Sequence, residues 1–239
     1  NGPGYTGASN SQPEGSKTYP HNPSSYAGIT AGRPNLTATD TTDFSPFLVK
    51  IRQAKPDLVA TNLGGNQVTN FVKQYSEFGL PYQVAGFNLN TADAWSAGEG
   101  NLAGIWPTVW HHELNTPGSR AFVAAFTRKY GKPPENHAWI EYVSLKIMAQ
   151  AINATKGTDT EKLIAYFESQ VEFDLLKARK GYFRAWDHQL IQEAFPFTVK
   201  PKGQAKDKWD FLKFGDAVPA PSEPLEVINP PKSANACVL

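Results

Sequence analysis

Three adjacent polar residues, His111, His112 and Glu113, form the group of side chains with the most metal-like composition. Imidazole nitrogens and carboxylate oxygens are common zinc ligands in proteins. Neighbouring residues of a strand, however, point to opposite faces, so both histidines would rarely reach one ion. No HExxH motif or paired carboxylate supports them in the sequence. We therefore interpret the group as a solvated strand end and predict no metal site.

A second polar pair, Asp187-His188, has the composition of a catalytic dyad. The sequence has no GxSxG nucleophile elbow to accompany it. The single cysteine, Cys237, lies in a Pro-rich tail, which is a poor place for a buried nucleophile. The preferred interpretation of Asp187-His188 is a polar turn that satisfies backbone groups. A hydrolase that uses these two residues is the least favoured hypothesis, and no catalytic residue and no cofactor is predicted.

Amide side chains and glycines follow two short apolar runs, 57–61 and 83–87. Ligands of open parallel sheets bind at the carboxyl ends of the strands, so these loops predict a binding rim. Helix N-termini follow both loops and would favour a carboxylate. The alternative is that these are ordinary turn residues and that the tryptophans lie in the core. The predicted ligand-binding residues are Asn62, Gly64, Gly65, Asn66, Phe87, Asn88, Asn90 and Trp106.

Regular elements alternate between residues 41 and 116. Ser45-Pro46 predicts a helix N-cap followed by proline at the first helical position, and that helix ends before Pro56. The apolar runs predict two strands, a helix with Gly79 at its end lies between them, and 104–110 predicts a third strand. This alternation is typical of βαβ units and a parallel sheet, which gives the α/β class.

The remainder of the chain is predicted to be helical and then β-rich. Apolar stripes predict three helices, the first ending at Gly131 and the third capped by Thr158 or Asp159. Strands are expected at 171–173, 182–183 and 191–199. Residues 1–40 contain few large aliphatic side chains and predict an irregular segment, and 201–239 is a Pro-rich tail.

Charge and hydropathy exclude two classes of function. Among 239 residues, 23 Lys and Arg stand against 22 Asp and Glu, which gives a net charge of +1. Binding to nucleic acid by counterion release is therefore not expected. No apolar run approaches the roughly 18–20 residues of a membrane span, so an integral membrane protein is not expected either.

Several segments together resemble one known family. The stretch Thr41–Asp57 (TTDFSPFLVKIRQAKPD), the helix pieces 71–74 and 78–80, and Phe126–Pro134 (FTRKYGKPP) occur in the order and spacing of that family, as do 149–152 and 184–189. They resemble the type I periplasmic solute-binding proteins of ABC transporters, in particular the branched-chain amino acid (leucine/isoleucine/valine) group. The resemblance runs from about Thr41 to Val199.

The resemblance implies a bilobal α/β fold with a ligand cleft between the lobes and three hinge crossings. On that scheme residues 41–116 and 170–200 form the second, C-terminal ligand-binding lobe, and 117–169 are helices that return to the first lobe. The tail 201–239 packs on the lobes, and the assignment of 1–40 is doubtful. Most of the first lobe should precede Thr41, and its helices are then expected to expose their apolar stripes. We prefer a proteolytic fragment or an incomplete or uncertain sequence as the explanation; the third is a divergent chain whose first 40 residues do something new.

The function implied by the resemblance is the capture of a small solute and its delivery to a membrane permease, in the periplasm or another extracytoplasmic space. The family's amino-acid binders place a tyrosine in the first loop and an acid in the second. Asn62–Asn66 and Asn88 provide neither, so a small polar or aromatic ligand, such as an amide, is at least as plausible as an amino acid. The alternative is a ligand-sensing regulator of the same fold that acts through a protein partner.

Overall fold

Strands and helices alternate at the beginning of the computed structural model, which describes residues 37–87, 89–100, 102 and 104–234. The first elements are α1 (Ser45–Ala54), β1 (Leu58–Thr61), α2 (Asn66–Glu77), β2 (Gln83–Gly86), α3 (Thr91–Ala97) and β3 (Trp106–Thr108). Strands β1 and β2 are parallel, with Leu58 opposite Gln83. Ile105 adds a parallel bridge to Ala85. The predicted parallel βαβ unit is confirmed.

The start of α1 differs by one residue from the prediction. Its N-cap is Phe44, which makes no side-chain cap, and Ser45 is already helical. Phe44 is 1% exposed, and its backbone N–H donates to Oε1 of Gln74 over 2.7 Å. Burial of the aromatic ring therefore sets this helix start, whereas a serine cap was expected.

Strand β3 connects two sheets. The predicted run 104–110 contains only three strand residues, and these pair antiparallel with β6 (Phe195–Val199), which in turn pairs with β7 (Leu212–Phe214). Gly104 adopts φ +105°, a conformation open mainly to glycine. It precedes Ile105, which bridges to Ala85 of β2, and from Trp106 onwards the chain pairs with the second sheet. The third strand thus extends the parallel unit by one bridge only.

Three capped helices make up the middle of the chain: α4 (Pro117–Tyr130), α5 (Asn136–Thr155) and α6 (Thr160–Glu168). Oγ1 of Thr116 accepts from the N–H of Ser119, and the side chain of Glu135 accepts from two first-turn N–H groups of α5. Asp159, rather than Thr158, caps α6 through a 3.0 Å bond from the N–H of Lys162. Gly131 ends α4 in the left-handed region, as predicted.

The C-terminal part contains a short hairpin and a tail that is held by hydrogen bonds from arginine side chains. Strands β4 (Tyr182–Phe183) and β5 (Leu190–Ile191) are antiparallel, and the predicted strand 171–173 is reduced to one bridge between Phe173 and Gly181. Arg179 donates to the backbone carbonyls of Pro219, Ala220 and Glu223, and Arg184 donates to that of Pro230 over 3.0 Å. Backbone carbonyl oxygens thus hold the tail against the hairpin.

Two hydrophobic cores organise the described residues. The first core joins α1, α2, β2 and the second sheet, and it includes Phe71, Trp106 and Phe197. The second core joins α5 to the segment before the hairpin and includes Trp110 and Trp139. The chain passes from the first core to the second within four residues, between Trp106 and Trp110. Such short crossings are where a hinge would lie.

Helices α4 and α5 expose an apolar face, as the resemblance led us to expect. Leu145 is 71% exposed, and Tyr130, Tyr142 and Met148 are each roughly half exposed. The ring of Tyr142 stacks on Phe122 at 4.6 Å between centroids. Among the described residues, no helix has both the length and the apolar character needed to cross a bilayer.

Candidate functional site

The carboxyl ends of β1 and β2 lie side by side. Thr61 is paired with Gly86 in the parallel ladder, and the N–H of Phe87 donates to the carbonyl of Thr61 over 3.2 Å. The loops 62–66 and 87–90 therefore leave the sheet at the same edge, as predicted from the strand order. This edge brings together most of the predicted ligand-binding residues.

The first loop is open to solvent. Asn62, Gly64, Gly65 and Asn66 are all exposed. Gly65 is the N-cap of α2 at φ +54°, and no side chain caps that helix. The first turn of the 12-residue α2 therefore presents backbone N–H groups and the positive end of a helix dipole at the edge.

The second loop presents an aromatic side chain. Phe87 is 62% exposed, whereas Leu89, two residues on, is 3% exposed and belongs to the first core. Asn90 is half-buried, and its Nδ2 donates to Oδ2 of Asp93 over 3.0 Å. Asn88, also predicted to bind ligand, lies outside the described residues. An exposed ring beside a helix N-terminus suits a planar, anionic ligand.

Trp106 is not on this rim. It is 0% exposed and belongs to the first core, where its ring covers Gly86. A fully buried ring offers no surface to a ligand, so its assignment as a rim residue is corrected to a core residue. The alternative interpretation given for the tryptophans holds at this position.

Two polar residues near the edge escaped the sequence analysis. Thr61 is 7% exposed, and its Oγ1 is buried without a hydrogen-bond partner in the part of the chain that the structure describes. Asn136, from the start of α5, forms hydrogen bonds with Thr91, which follows the second loop. No local sequence signal indicates Asn136, since 45 residues separate it from Thr91.

Of the histidine pair that resembled a metal site, His111 is buried and His112 is half-buried. His111 is 2% exposed and stacks on Phe214, with 3.8 Å between ring centroids. The prediction of a solvated strand end was therefore wrong, because β7 covers His111. Burial, its largest cause, lowers the pKa of His112 to about 4 and that of His111 well below its usual value. Within the described ranges, no group of three potential metal ligands is present.

Asp187 and His188 form a polar turn, as interpreted from the sequence. The guanidinium of Arg184 binds both carboxylate oxygens of Asp187, and the N–H of Gln189 donates to Oδ1 of Asp187 over 3.1 Å. His188 points to Glu168, with 2.8 Å between Nε2 and Oε1. Asp187 therefore orients the turn and not the imidazole of His188.

A cavity of about 260 Å³ lies between the end of α3 and the segment 205–211. Its lining includes Trp95, Glu99, Lys208 and Phe211 and none of the predicted ligand-binding residues. The open loop edge, rather than this cavity, therefore matches the predicted ligand-binding residues.

Comparison with known proteins places the chain in a family. The model of the family described as periplasmic binding protein matches residues 25–205. That match begins before Thr41, so part of the segment 1–40, which we had set apart, follows the family pattern.

Three relatives illustrate the similarity. Leu/Ile/Val-binding protein homolog 8 of Brucella abortus is 28% identical over 150 residues, which are 58% of this chain and 37% of the relative. An amino acid ABC transporter substrate-binding protein from Pseudomonas fluorescens superimposes with a TM-score of 0.72 at 22% identity, covering 90% of this chain and 56% of that one. A solute-binding protein from R. palustris in complex with 4-hydroxybenzoate has a TM-score of 0.66 at 19% identity, with 77% and 50% covered.

The chain thus spans between about a third and just over half of the length of these relatives. The two superpositions show a shared fold. The family match, which covers well over half of the residues, shows that the chain belongs to the periplasmic binding protein family.

Proposed function

We propose that the chain carries the ligand-binding lobe of an ABC transporter solute-binding protein. That protein captures a small solute in an extracytoplasmic compartment and delivers it to a membrane permease. The observation that carries the proposal is the shared edge of β1 and β2, where two loops project together. We assign the first core to this lobe and helices α4 to α6 to the opposite lobe.

We propose a small aromatic carboxylate as the ligand class. The loops 62–66 and 87–90 contain no acidic residue that could hold an ammonium group. The exposed ring of Phe87 can stack on an aromatic ligand, and the uncapped N-terminus of α2 favours a carboxylate. One relative of the same fold was solved with 4-hydroxybenzoate, which has this chemistry.

The proposal is tested by thermal unfolding and isothermal titration calorimetry with 4-hydroxybenzoate and L-leucine. We expect 4-hydroxybenzoate to stabilise the protein, by about 2.7 kcal/mol at a hundred times its Kd, and leucine to have a smaller effect. Phe87→Ala should weaken 4-hydroxybenzoate binding by about tenfold, the loss expected for one stacking partner.

The matched control is Leu145→Ala, which removes an equally exposed apolar side chain from α5, outside the predicted loops. It should leave the Kd unchanged. Tighter binding of leucine than of 4-hydroxybenzoate would overturn the ligand class. An unchanged Kd for 4-hydroxybenzoate in Phe87→Ala would show that the loop edge is not the binding site.

A further inference from the structure

The second loop is tied to a distant helix by a closed set of hydrogen bonds. The N–H and the hydroxyl of Thr91 both donate to Oδ1 of Asn136, each over 3.1 Å. The N–H of Asn136 donates back to Oγ1 of Thr91 over 3.2 Å. Thr91 is 1% exposed and Asn136 is 8% exposed, so water does not compete for these bonds.

The two residues belong to different halves of the structure. Thr91 is the first residue of α3, whose Ala94 lies in the first core. Asn136 is the first residue of α5, whose Trp139 lies in the second core. The pair therefore joins α3, the helix that follows the ligand loop, to α5, the long helix of the other half.

Loop 87–90 is held at both ends. At its start the N–H of Phe87 donates to Thr61 of β1, and at its end Thr91 is fixed by Asn136. On the α5 side, the side chain of Glu135 accepts the N–H groups of His137 and Ala138 over 2.6 and 2.7 Å. The start of α5, which carries the anchor Asn136, is thus itself held by a capping side chain.

We infer that Asn136 is a positioning residue for the ligand loop. Its amide oxygen, supplied by α5, sets the position of the described loop residues Phe87, Leu89 and Asn90, and any displacement of α5 relative to α3 is passed to them. The inference rests on the proposed function, in which Phe87 contacts the ligand. Two discrete states of this pair, bonded and broken, would couple ligand binding to the relative position of the two halves.

Hydrogen exchange measured by mass spectrometry tests the positioning role without any ligand. Thr91→Val keeps the side-chain volume but removes the hydroxyl, and Asn136→Leu removes the shared acceptor. We expect exchange in residues 87–97 to become about tenfold faster in both variants, as for the loss of a buried hydrogen-bond partner. Thr91→Ser and Asn136→Asp, which keep the hydroxyl and the acceptor oxygen, should exchange like the wild type.

The reference peptides are α2 and α6, whose residues take no part in the hydrogen bonds between Thr91 and Asn136. An equal acceleration in all peptides would mean general destabilisation and would overturn the positioning role, as would unchanged exchange at 87–97. If Asn136→Leu does not fold, the near-isosteric Thr91→Val decides.

Calorimetry with 4-hydroxybenzoate then asks whether positioning affects binding. Thr91→Val should weaken the Kd about tenfold, in proportion to the exchange effect, while Thr91→Ser restores it. A Kd that Thr91→Val leaves unchanged would overturn the coupling to the ligand. If 4-hydroxybenzoate does not bind the wild type, the proposed ligand class fails, and the exchange data alone decide the role of Asn136.

Discussion

Trp106 lies so close to the backbone of Gly86 that a methyl group on this glycine would be 1.8 Å from ring atom Cζ3 of the indole. Gly86 is the last residue of β2, and Trp106 is the first residue of β3. Both are buried, and the ring occupies the space that a side chain at position 86 would need. This packing fixes the strand end from which Phe87 projects.

Gly86→Ala should therefore destabilise the protein by about 2–3 kcal/mol, since a close-packed ring must move to admit the methyl group. Urea unfolding followed by tryptophan fluorescence measures this. Gly64→Ala is the control, because a Cβ at Gly64 would meet nothing within 4 Å. Similar unfolding midpoints for the two variants would contradict the packing described for Trp106.

The half-buried His112 predicts that the protein is less stable in acid. Burial lowers the pKa of His112 to about 4 from an ordinary value of 6.5, with Lys200 adding to the shift and Asp207 and Asp210 opposing it. Between pH 6.5 and about 4, His112 is therefore protonated in the unfolded chain but not in the native state. The free energy of unfolding falls as the pH falls through this range. His112 alone should cost about 2 kcal/mol at pH 5.

The measurement is the free energy of unfolding in urea between pH 7.5 and 4.5. His112→Gln should flatten the dependence, whereas replacement of His137, which is largely exposed, by Gln should not. An unchanged slope in His112→Gln would show that other groups govern acid unfolding.

Glu193 holds the segment before the hairpin through a buried ion pair. It is 1% exposed, and it accepts from Nε of Arg179 over 3.1 Å and from the N–H groups of Ala178 and Arg179. Glu193→Ala should cost about 3–5 kcal/mol, because it leaves a partly buried guanidinium without its counter-charge. Thermal unfolding should show a clear loss. Glu172→Ala, at the exposed pair with Lys180, should change stability by less than about 1 kcal/mol.

Arg179→Ala should in addition release the tail, since Arg179 also binds its carbonyl oxygens. Limited proteolysis would then cut within 219–234 first. Uniform cleavage along the whole chain would indicate global unfolding instead.

The burial of Lys177 predicts that the free energy of unfolding increases above neutral pH. Burial lowers the pKa of its ammonium to about 7, with Glu193 opposing the shift. The native state releases its proton near pH 7 and the unfolded chain near 10.5, so stability rises with pH between these values, by at most about 1.4 kcal/mol per unit. Lys177→Met should remove this rise in urea titrations at pH 7–10. Lys213→Met, at an exposed position, should retain it.

Element identity was predictable where local chemistry decides it. Gly131 ends a helix by adopting the left-handed conformation, and the two short apolar runs form the parallel pair β1 and β2. Burial is not what these strands share, since Thr61 is the one buried residue of β1. The partner of β3 was not predictable. Trp106 pairs with Phe197, and no local pattern reports a contact made across ninety-one residues of chain.

The meeting of the two candidate loops was predictable in the same limited sense. The rule that loops meet at the carboxyl ends of parallel strands located Asn62 and Phe87 at a common edge. The same rule does not predict that the ring of Trp106 packs on Gly86 in the core, or that Phe214 covers His111. Both contacts join residues that are brought together only by folding.

The attachment of the tail has an evolutionary consequence. Arg179 and Arg184 bind its main-chain carbonyl oxygens, which every amino acid carries. The hydroxyl of Tyr182 also donates to the carboxylate of Glu226. Substitutions along 219–230 can therefore accumulate while the docking is retained.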